Sequence, residues 1–519
     1  MSRKYQGYLG SLCLLALVMV LIATSKYGAG VSSDAVRNLS AVDSLLDGRG
    51  FTDLNGQPLT LWPPLYPMIL YAISRLTGAD PFISAWYLNV ILYVLNVWLA
   101  GWFFSLVFRE KTHYAIACAL AFTLSRSLLS LHANVSSDPL FIAFIFIYFL
   151  IAAKYLQSPS GPLRWWLFII SGLAVLQRFP GIVFFAVSGL LILYKEGFRS
   201  ALRAIPQALI GILPSVAWAY FFTYTRTGTF FGPRTYGIMF PLENANLSLT
   251  RMVHWFVPFY EPFAYVLLNP WIILIPLLAL LLIFNRKQHW LGLWKAVINN
   301  IYVWPYLVFS VVYFIMMLLT VVTVDHLDLY SDRYYIILFP LVLILLCYAL
   351  ENLVLSHFDK IRSFVRYAAV VVFVLWLAYP ILSLQEYLRL AVVEGEPSSY
   401  NIQNTRTYRE SKVIEKGRDL MESDPEAAMY SNYANVIWFA YRQPVDLLPV
   451  RGEALSFSES IAHLNQKYSG WPHGKDGYLI WFKPNQYHHV AQPRELAEIA
   501  DLELIYEDKH GAIYRVTTR

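Results

Sequence analysis

The chain carries little charge. Only 14% of its 519 residues are Asp, Glu, Lys or Arg, while 57% are hydrophobic. A soluble domain of ordinary composition has roughly a quarter charged residues, so most of this length must sit in or against lipid. Cysteine is scarce: Cys13, Cys118 and Cys347 all fall in apolar runs, which excludes a disulfide framework and a zinc-type ligand spacing. No glycine-rich loop leads into a helix as in nucleotide-binding proteins, and the nucleophile elbow of serine hydrolases is absent. The apolar runs are almost free of ionisable groups, Arg126 being the main exception. Secondary transporters and proton pumps place such groups near the bilayer midplane, so their scarcity argues against transport. The formal net charge of +6 is modest, and its distribution reads as membrane topology, not nucleic-acid binding.

What is present is a series of apolar runs near residues 8–27, 82–108, 113–131, 139–157, 203–224, 263–284, 302–322, 335–355 and 367–388. The stretch 165–194 is interrupted by Gln177-Arg178-Phe179-Pro180-Gly181 and reads as two spans joined by a tight turn. Together these make about eleven spans of bilayer length. Placing the N-terminus inside puts Arg109, Lys111, Lys154, Arg164, Lys195, Arg199, Lys360 and Arg362 in inner loops. Asp34, Asp43, Asp47, Asp53, Asp80, Asp138, Asp325, Asp328 and Asp332 then lie outside. This is a positive-inside pattern. Residues 64–78 are apolar but too short to span, and counting them would move Arg109 and Lys111 outside; they are expected on the outer surface or dipping partly into the bilayer. Residues 1–390 thus form the expected membrane domain, with amphipathic outer-loop helices at about 34–78.

From residue 391 the composition changes, and no later run is long enough to span. Apolar runs at Ala428–Tyr430 and Tyr478–Phe482 alternate with helix-like segments at Ser456–Tyr468 and Arg494–Ala500. The end, LELIYEDKHGAIYRV, predicts a hairpin turning at His510-Gly511. Residues 391–519 are therefore expected to be a small α/β domain outside the membrane.

Chemistry has to be sought at the outer ends of the spans. The stretch VSSDAVRNLSAVDSLLDGRGF, residues 31–51, starts a helix at Ser32 or Ser33. Val36, Leu39, Val42 and Leu45 recur along one side of it, and Gly48 and Gly50 stop it. The pattern predicts an amphipathic helix lying along the membrane, with Asp34 in its first turn, where the helix dipole favours a carboxylate. Asp138 repeats the Ser-Ser-Asp pattern in ANVSSDPLF, and Pro139 suits a first helical position. The outer basic residues are nearly all arginine: Arg37, Arg49, Arg75, Arg178, Arg226, Arg234, Arg251 and Arg333, with Lys26 the exception. Arginine's planar fork matches phosphate oxygens. Together these residues point to an anionic ligand at the outer surface, of which a lipid phosphate is the natural candidate. Asp325-His326-Leu327-Asp328 is the nearest approach to a divalent-cation site, and its spacing matches no strong motif.

In order and sidedness these features resemble the GT-C membrane glycosyltransferases, especially the branch of protein O-mannosyltransferases and lipid A aminoarabinose transferases. The matching stretches are Asp34 with its helix and GRGF, PPLYP at 63–67, SSDPLF at 136–141, RFPG at 178–181, RYYIILFP at 333–340 and a small outer α/β domain. The resemblance implies an α-helical polytopic membrane protein that moves a hexosyl or pentosyl group, with inversion, from a polyprenyl-phosphate donor to an acceptor hydroxyl at the extracytoplasmic face. It implies a bacterial inner membrane with a cytoplasmic N-terminus. Asp34 matches the catalytic acid, and Asp138, Arg178, Arg234, Arg333 and Tyr334 match the donor-phosphate site. No metal or other cofactor and no nucleic acid is implied. The alternative on the same arginines is a flippase of a lipid-linked sugar. Asp34 is followed by Ala, where the mannosyltransferases have a second acid, and the acceptor, whether protein, lipid or polysaccharide, stays open.

Overall fold

The computed structural model describes residues 2–233, 241–257, 269–284, 287–323, 331–395, 401–451, 457–483 and 489–519. The chain forms two compact units. One comprises Met1–Lys26, Thr60–Ile69 and Ile83–Val393; the other comprises Tyr27–Leu59, Leu70–Phe82 and Glu394–Arg519.

The first unit is helical. Among the described residues, eight helices are long and apolar enough to cross a membrane, or nine if one bent pair is counted as a span. They include α1 (Arg3–Ala23), and α4 (Pro81–Val107) follows the shorter α2 (Ser33–Leu46) and α3 (Leu65–Thr77). The bent pair is α5 (Thr112–Thr123) and α6 (Arg126–His132), which meet at 54°. The sequence reads this region as one straight span. The break arises where the Ser125 hydroxyl accepts the Leu128 amide and caps a new helix. Beyond it lie α7 (Asp138–Gln157), α8 (Gly161–Gln177) and α9 (Ile182–Glu196). Of the eleven expected runs, two are helices below span length, α8 with 17 residues and Trp271–Phe284 with 14.

The helices pack through a core rich in aromatics, including Tyr93, Phe103, Phe122, Phe146, Tyr148 and Phe149, all essentially buried. At one crossing the chain needs glycine. A Cβ at Gly172 of α8 would strike the Gly211 carbonyl, and one at Gly211 would lie 2.7 Å from the Phe168 carbonyl oxygen. Small residues at such a crossing let membrane helices approach closely. Elsewhere large apolar side chains face outward: Leu209, Leu213, Val372 and Leu375 are each more than half exposed. Apolar surface on this scale, carried by helices long enough to cross a bilayer, is suited to lipid, and the molecule is a multi-pass membrane protein.

The ion pairs at the ends of these helices join groups expected on the same side of the membrane. Glu351 pairs with Lys111 (2.9 Å) and Arg362 (2.5 Å), and Glu196 pairs with Arg164 (3.2 Å). All five of these groups belong to the predicted inner side. Asp138 pairs with Arg178, and Asp332 accepts from the Ser127 hydroxyl (2.6 Å); these belong to the predicted outer side.

The second unit carries a four-stranded sheet of β1 (Ala428–Ser431), β2 (Gly477–Phe482), β3 (Asp501–Glu507) and β4 (Gly511–Thr517), in the order β1-β2-β4-β3. β1 and β2 are parallel, and the other two pairings are antiparallel. The β3–β4 hairpin forms where predicted. Asp508 Oδ1 accepts the amides of His510 (2.7 Å) and Gly511 (3.0 Å), which closes the turn. Tyr430, Leu479, Trp481 and Val516 fill the sheet's core with Leu464 and Trp471. Helix Phe457–Lys467 agrees with the expected segment, but Arg494–Ala500 does not persist as a helix. Pro493–Leu496 is one turn, closed by reciprocal bonds between Gln492 and Glu495, and the chain then turns into β3.

Candidate functional site

Antiparallel packing of α7, α8 and α9 sets the geometry at one end of the first unit. α7 begins at Asp138, α8 ends at Gln177, and Phe179–Gly181 is a single 3₁₀ turn before α9. Arg178 sits between α8 and that turn in extended conformation. Its carbonyl accepts the Gly181 amide at 2.8 Å. A Cβ on Gly181 would collide with the Ala174 backbone, so only glycine lets the chain double back this tightly. Gln177 donates to the Ser137 carbonyl (2.7 Å) and ties the end of α8 to the start of α7.

This turn delivers Arg178 to Asp138, and both side chains are largely buried, 16% and 7% exposed. Asp138 is held in turn by the Ser136 hydroxyl, which donates to its Oδ2 at 2.6 Å and accepts its amide at 3.2 Å. The Arg178 guanidinium lies 6.0 Å from the centres of both the Phe141 and Tyr334 rings. Arg333 reaches the same tyrosine. Its Nη2 donates to the Tyr334 hydroxyl at 2.8 Å, and its guanidinium lies 4.9 Å from that ring. The Tyr334 carbonyl accepts from the Tyr313 hydroxyl (2.9 Å). Asp332, two residues before Tyr334, is anchored on Ser127 of α6 and feels the charges of Arg251 and Arg126.

Of the site residues expected in this unit, Asp138, Arg178, Arg333 and Tyr334 converge. Arg234 and the Asp325–Asp328 stretch lie outside the described residues. Sequence reasoning missed Ser127, Gln177 and Tyr313 as site-building residues. They sit within apolar helices or at their ends, with no local pattern, and only the packing of distant segments brings them here. Arg251 was legible as an outer arginine, Arg126 as a charge within an apolar run and Asp332 as an outer acid, but that both arginines act on Asp332 was not. Among the described residues, Arg178 and Arg333 meet at Tyr334 with Asp138 on Arg178, while Arg126 and Arg251 act on Asp332 and Arg126 also acts on Glu386. Paired guanidinium groups in a poorly solvated place can hold an anion.

Asp34 belongs to the second unit. Ser32 caps α2, its hydroxyl accepting the Ala35 amide at 3.2 Å, and Asp34 lies in the first turn, half-buried. Positive φ at Gly48 (75°) and Gly50 (88°) ends the helix region as predicted. The apolar stripe differs from expectation. Val36, Leu39 and Val42 are fully buried, so protein, not lipid, covers it. At the far end of α2, Asp43 accepts from Arg442 at 3.5 Å, and Arg442 also approaches Asp80 at 3.4 Å. Arg442 terminates helix Ala434–Tyr441 with φ of 59°. Glycine is usual at such a position, but here the side chain stacks on Trp438 and Phe439 and bridges both carboxylates.

Burial pushes the Asp43 carboxyl up to about 6; Arg442 opposes this, Asp80 and Asp47 add to it, and Arg49 opposes it weakly. The long Arg442 contact is too loose to offset desolvation. The folded state therefore holds a proton that the unfolded chain releases near 3.8. The stability from that proton is complete below 3.8 and lost as the pH rises through about 6. Thermal unfolding is expected to show a Tm that declines across this window, with a shallower decline in Asp43→Asn. Identical slopes in the two proteins would show that Asp43 is not the group responsible.

No protein-family model matches the chain, and no curated protein matches it in sequence. Its structure is similar to that of ArnT from Cupriavidus metallidurans in the apo state, with a TM-score of 0.56 and 14% identity over 98% of each chain. It is likewise similar to the same protein bound to undecaprenyl phosphate, at 0.55 and 13%, again over 98% of each. A weaker likeness, at 0.48 and 12%, covers 93% of this chain and 70% of the Archaeoglobus fulgidus oligosaccharyltransferase. The architecture is the GT-C fold of membrane glycosyltransferases.

Proposed function

We propose that the chain is an inverting glycosyltransferase that moves a hexosyl or pentosyl group from a polyprenyl-phosphate donor to an acceptor hydroxyl at the extracytoplasmic face of a bacterial inner membrane. The observation that carries this is the convergence of Arg178 and Arg333 on Tyr334, beside Asp138, at one end of a lipid-embedded unit. The likeness to ArnT, which was crystallised with undecaprenyl phosphate, supports the choice of anion.

In the proposed reaction the acceptor oxygen attacks the anomeric carbon and the bond from that carbon to the phosphate oxygen breaks. Polyprenyl phosphate leaves with the electron pair. Its new negative charge is stabilised by Arg178 and Arg333, with Tyr334 between them as a donor and stacking surface. Arg234 is assigned the same role on its sequence position. Asp138 holds Arg178 in place, and Asp34 takes the acceptor's proton as general base. The leaving group needs no nucleotide and no metal in this scheme, since arginine supplies the positive charge. Any hydroxyl presented to Asp34 satisfies the chemistry.

Product analysis tests the reading. Membranes containing the chain, given the polyprenyl-phosphate-sugar fraction of the same cells, are expected to release polyprenyl phosphate and form a new glycosidic bond visible by mass spectrometry. Movement of intact lipid-linked sugar across the bilayer without a new bond would instead establish a flippase.

A further inference from the structure

The chain leading into α2 is gripped by a short segment from the far end of the sequence, Asn401-Ile402-Gln403-Asn404. Both stretches belong to the second unit. The amides of Ile402 and Gln403 both donate to the Val31 carbonyl at 3.0 Å. The Val31 amide donates back to Asn401 Oδ1 at 2.9 Å. Asn404 Nδ2 donates to the carbonyls of Tyr27 and Ala29, each at 2.8 Å. Gln403 Nε2 reaches the Ser33 hydroxyl at 3.3 Å. The carbonyls of residues 27, 29 and 31 are thus all held from one segment, and only Ser32 and Ser33 separate the last of them from Asp34.

The grip is built as a buried structure. Asn401, Gln403 and Asn404 are 7%, 3% and 0% exposed, and Ala29 and Val31 are fully buried. Asn401 is itself fixed, since its Nδ2 donates to the carbonyls of Gly395 and Asn404. Asn404 Oδ1 accepts from Arg409 Nε at 2.7 Å. On the other side, a Cβ at Gly28 would lie 3.0 Å from the Phe82 ring, so that turn is also confined. One feature runs against stability alone. Gln403 Oε1 is buried with no hydrogen-bond partner among the described residues, a cost that an apolar side chain would avoid. Features that cost stability concentrate where function requires them.

We infer that Asn401, Gln403 and Asn404 are positioning residues for Asp34: they fix the Tyr27–Ser33 segment and so set the place and direction of the first turn of α2. The inference rests on the proposed role of Asp34 as base. It assigns a task to the C-terminal region, that of holding the catalytic end of a helix more than three hundred residues earlier in the chain. A base displaced by about 1 Å costs on the order of 100-fold in rate, so loosening this grip reduces turnover without touching the donor's arginines.

Three variants of the full-length protein test it: Asn404→Asp, which keeps the shape and the Arg409 contact but cannot donate to Tyr27 and Ala29; Gln403→Met, which loses only the Ser33 bond; and Asp34→Asn. Each is measured for hydrogen exchange of residues 27–37, for exchange of β2 and β4 as a folding control, for undecaprenyl phosphate binding, and for kcat and KM with the lipid-linked sugar fraction. Asn404→Asp is expected to raise exchange in 27–37 at least about 10-fold and to lower kcat about 10- to 100-fold. Its donor KM, undecaprenyl phosphate binding and β2 and β4 exchange should stay unchanged. Gln403→Met is expected to lower kcat several-fold with an unchanged or higher Tm. Unchanged exchange in 27–37 for both variants, or faster exchange with wild-type kcat, overturns the inference while Asp34→Asn remains inactive. Should Asn404→Asp lose the β2 and β4 protection, Gln403→Met alone decides. If Asp34→Asn retains wild-type kcat, the reading of Asp34 as base has failed, and the inference falls with it.

Discussion

Asp34→Asn is expected to yield a folded, membrane-inserted protein that binds undecaprenyl phosphate like the wild type and transfers sugar about 10²- to 10⁴-fold more slowly, the range a general base contributes. The substitution preserves shape. Two bonds of the first turn are independent of the Asp34 carboxylate: Ser32 caps through its own hydroxyl, and Asn38 donates to the Asp34 backbone carbonyl at 2.8 Å. The loss of a negative charge near a helix N-terminus costs about 0.3–1 kcal/mol. Unfolding on that scale is small beside a rate loss of a hundredfold or more, so the two effects separate cleanly. Transfer by Asp34→Asn within threefold of wild type would remove Asp34 from the mechanism.

Arg178→Gln is expected to do two things at once. It removes a cation from the phosphate site, which costs about 10²- to 10³-fold in transfer if Arg178 stabilises the leaving group. It also strands the Asp138 carboxylate, only 7% exposed. Breaking a buried ion pair from one side costs about 3–5 kcal/mol, which should appear as a clear fall in Tm. The double variant Arg178→Gln with Asp138→Asn removes both charges and is expected to recover most of the lost stability, because no carboxylate is left unpaired. Transfer should not recover with it, since the cation is still missing. Measuring Tm and rate on the wild type, both single variants and the double variant tests this. Recovery of transfer in the double variant would mean that the pair holds the fold and takes no part in donor binding.

The elements with strong local signals were legible in advance. The apolar runs became helices, and the tight turn at Arg178-Phe179-Pro180-Gly181 became a helix end followed by one 3₁₀ turn, because proline and glycine permit little else there. Ser32 and the glycines at 48 and 50 marked the ends of α2 through capping chemistry, which acts within a few residues. The break between α5 and α6 was missed, since a serine cap inside an apolar run hardly changes its hydropathy. The burial of Val36, Leu39 and Val42 was misassigned to lipid because an apolar stripe has the same periodicity whether lipid or protein covers it.

By itself, then, the sequence determined the membrane class, the sorting of charge to two sides and the candidates Asp34, Asp138, Arg178 and Arg333, since composition and side-chain chemistry are properties of residues and short stretches. Tertiary structure alone decided that Asp138 pairs with Arg178, that Arg178 and Arg333 share Tyr334, that Asp332 rests on Ser127, and that Asn401 to Asn404 hold the segment before Asp34. Each of these joins residues tens to hundreds of positions apart. Hydrogen bonds and ion pairs act over a few ångströms, so no local pattern along the chain encodes which partner will arrive, and only the packing of whole helices and strands selects it.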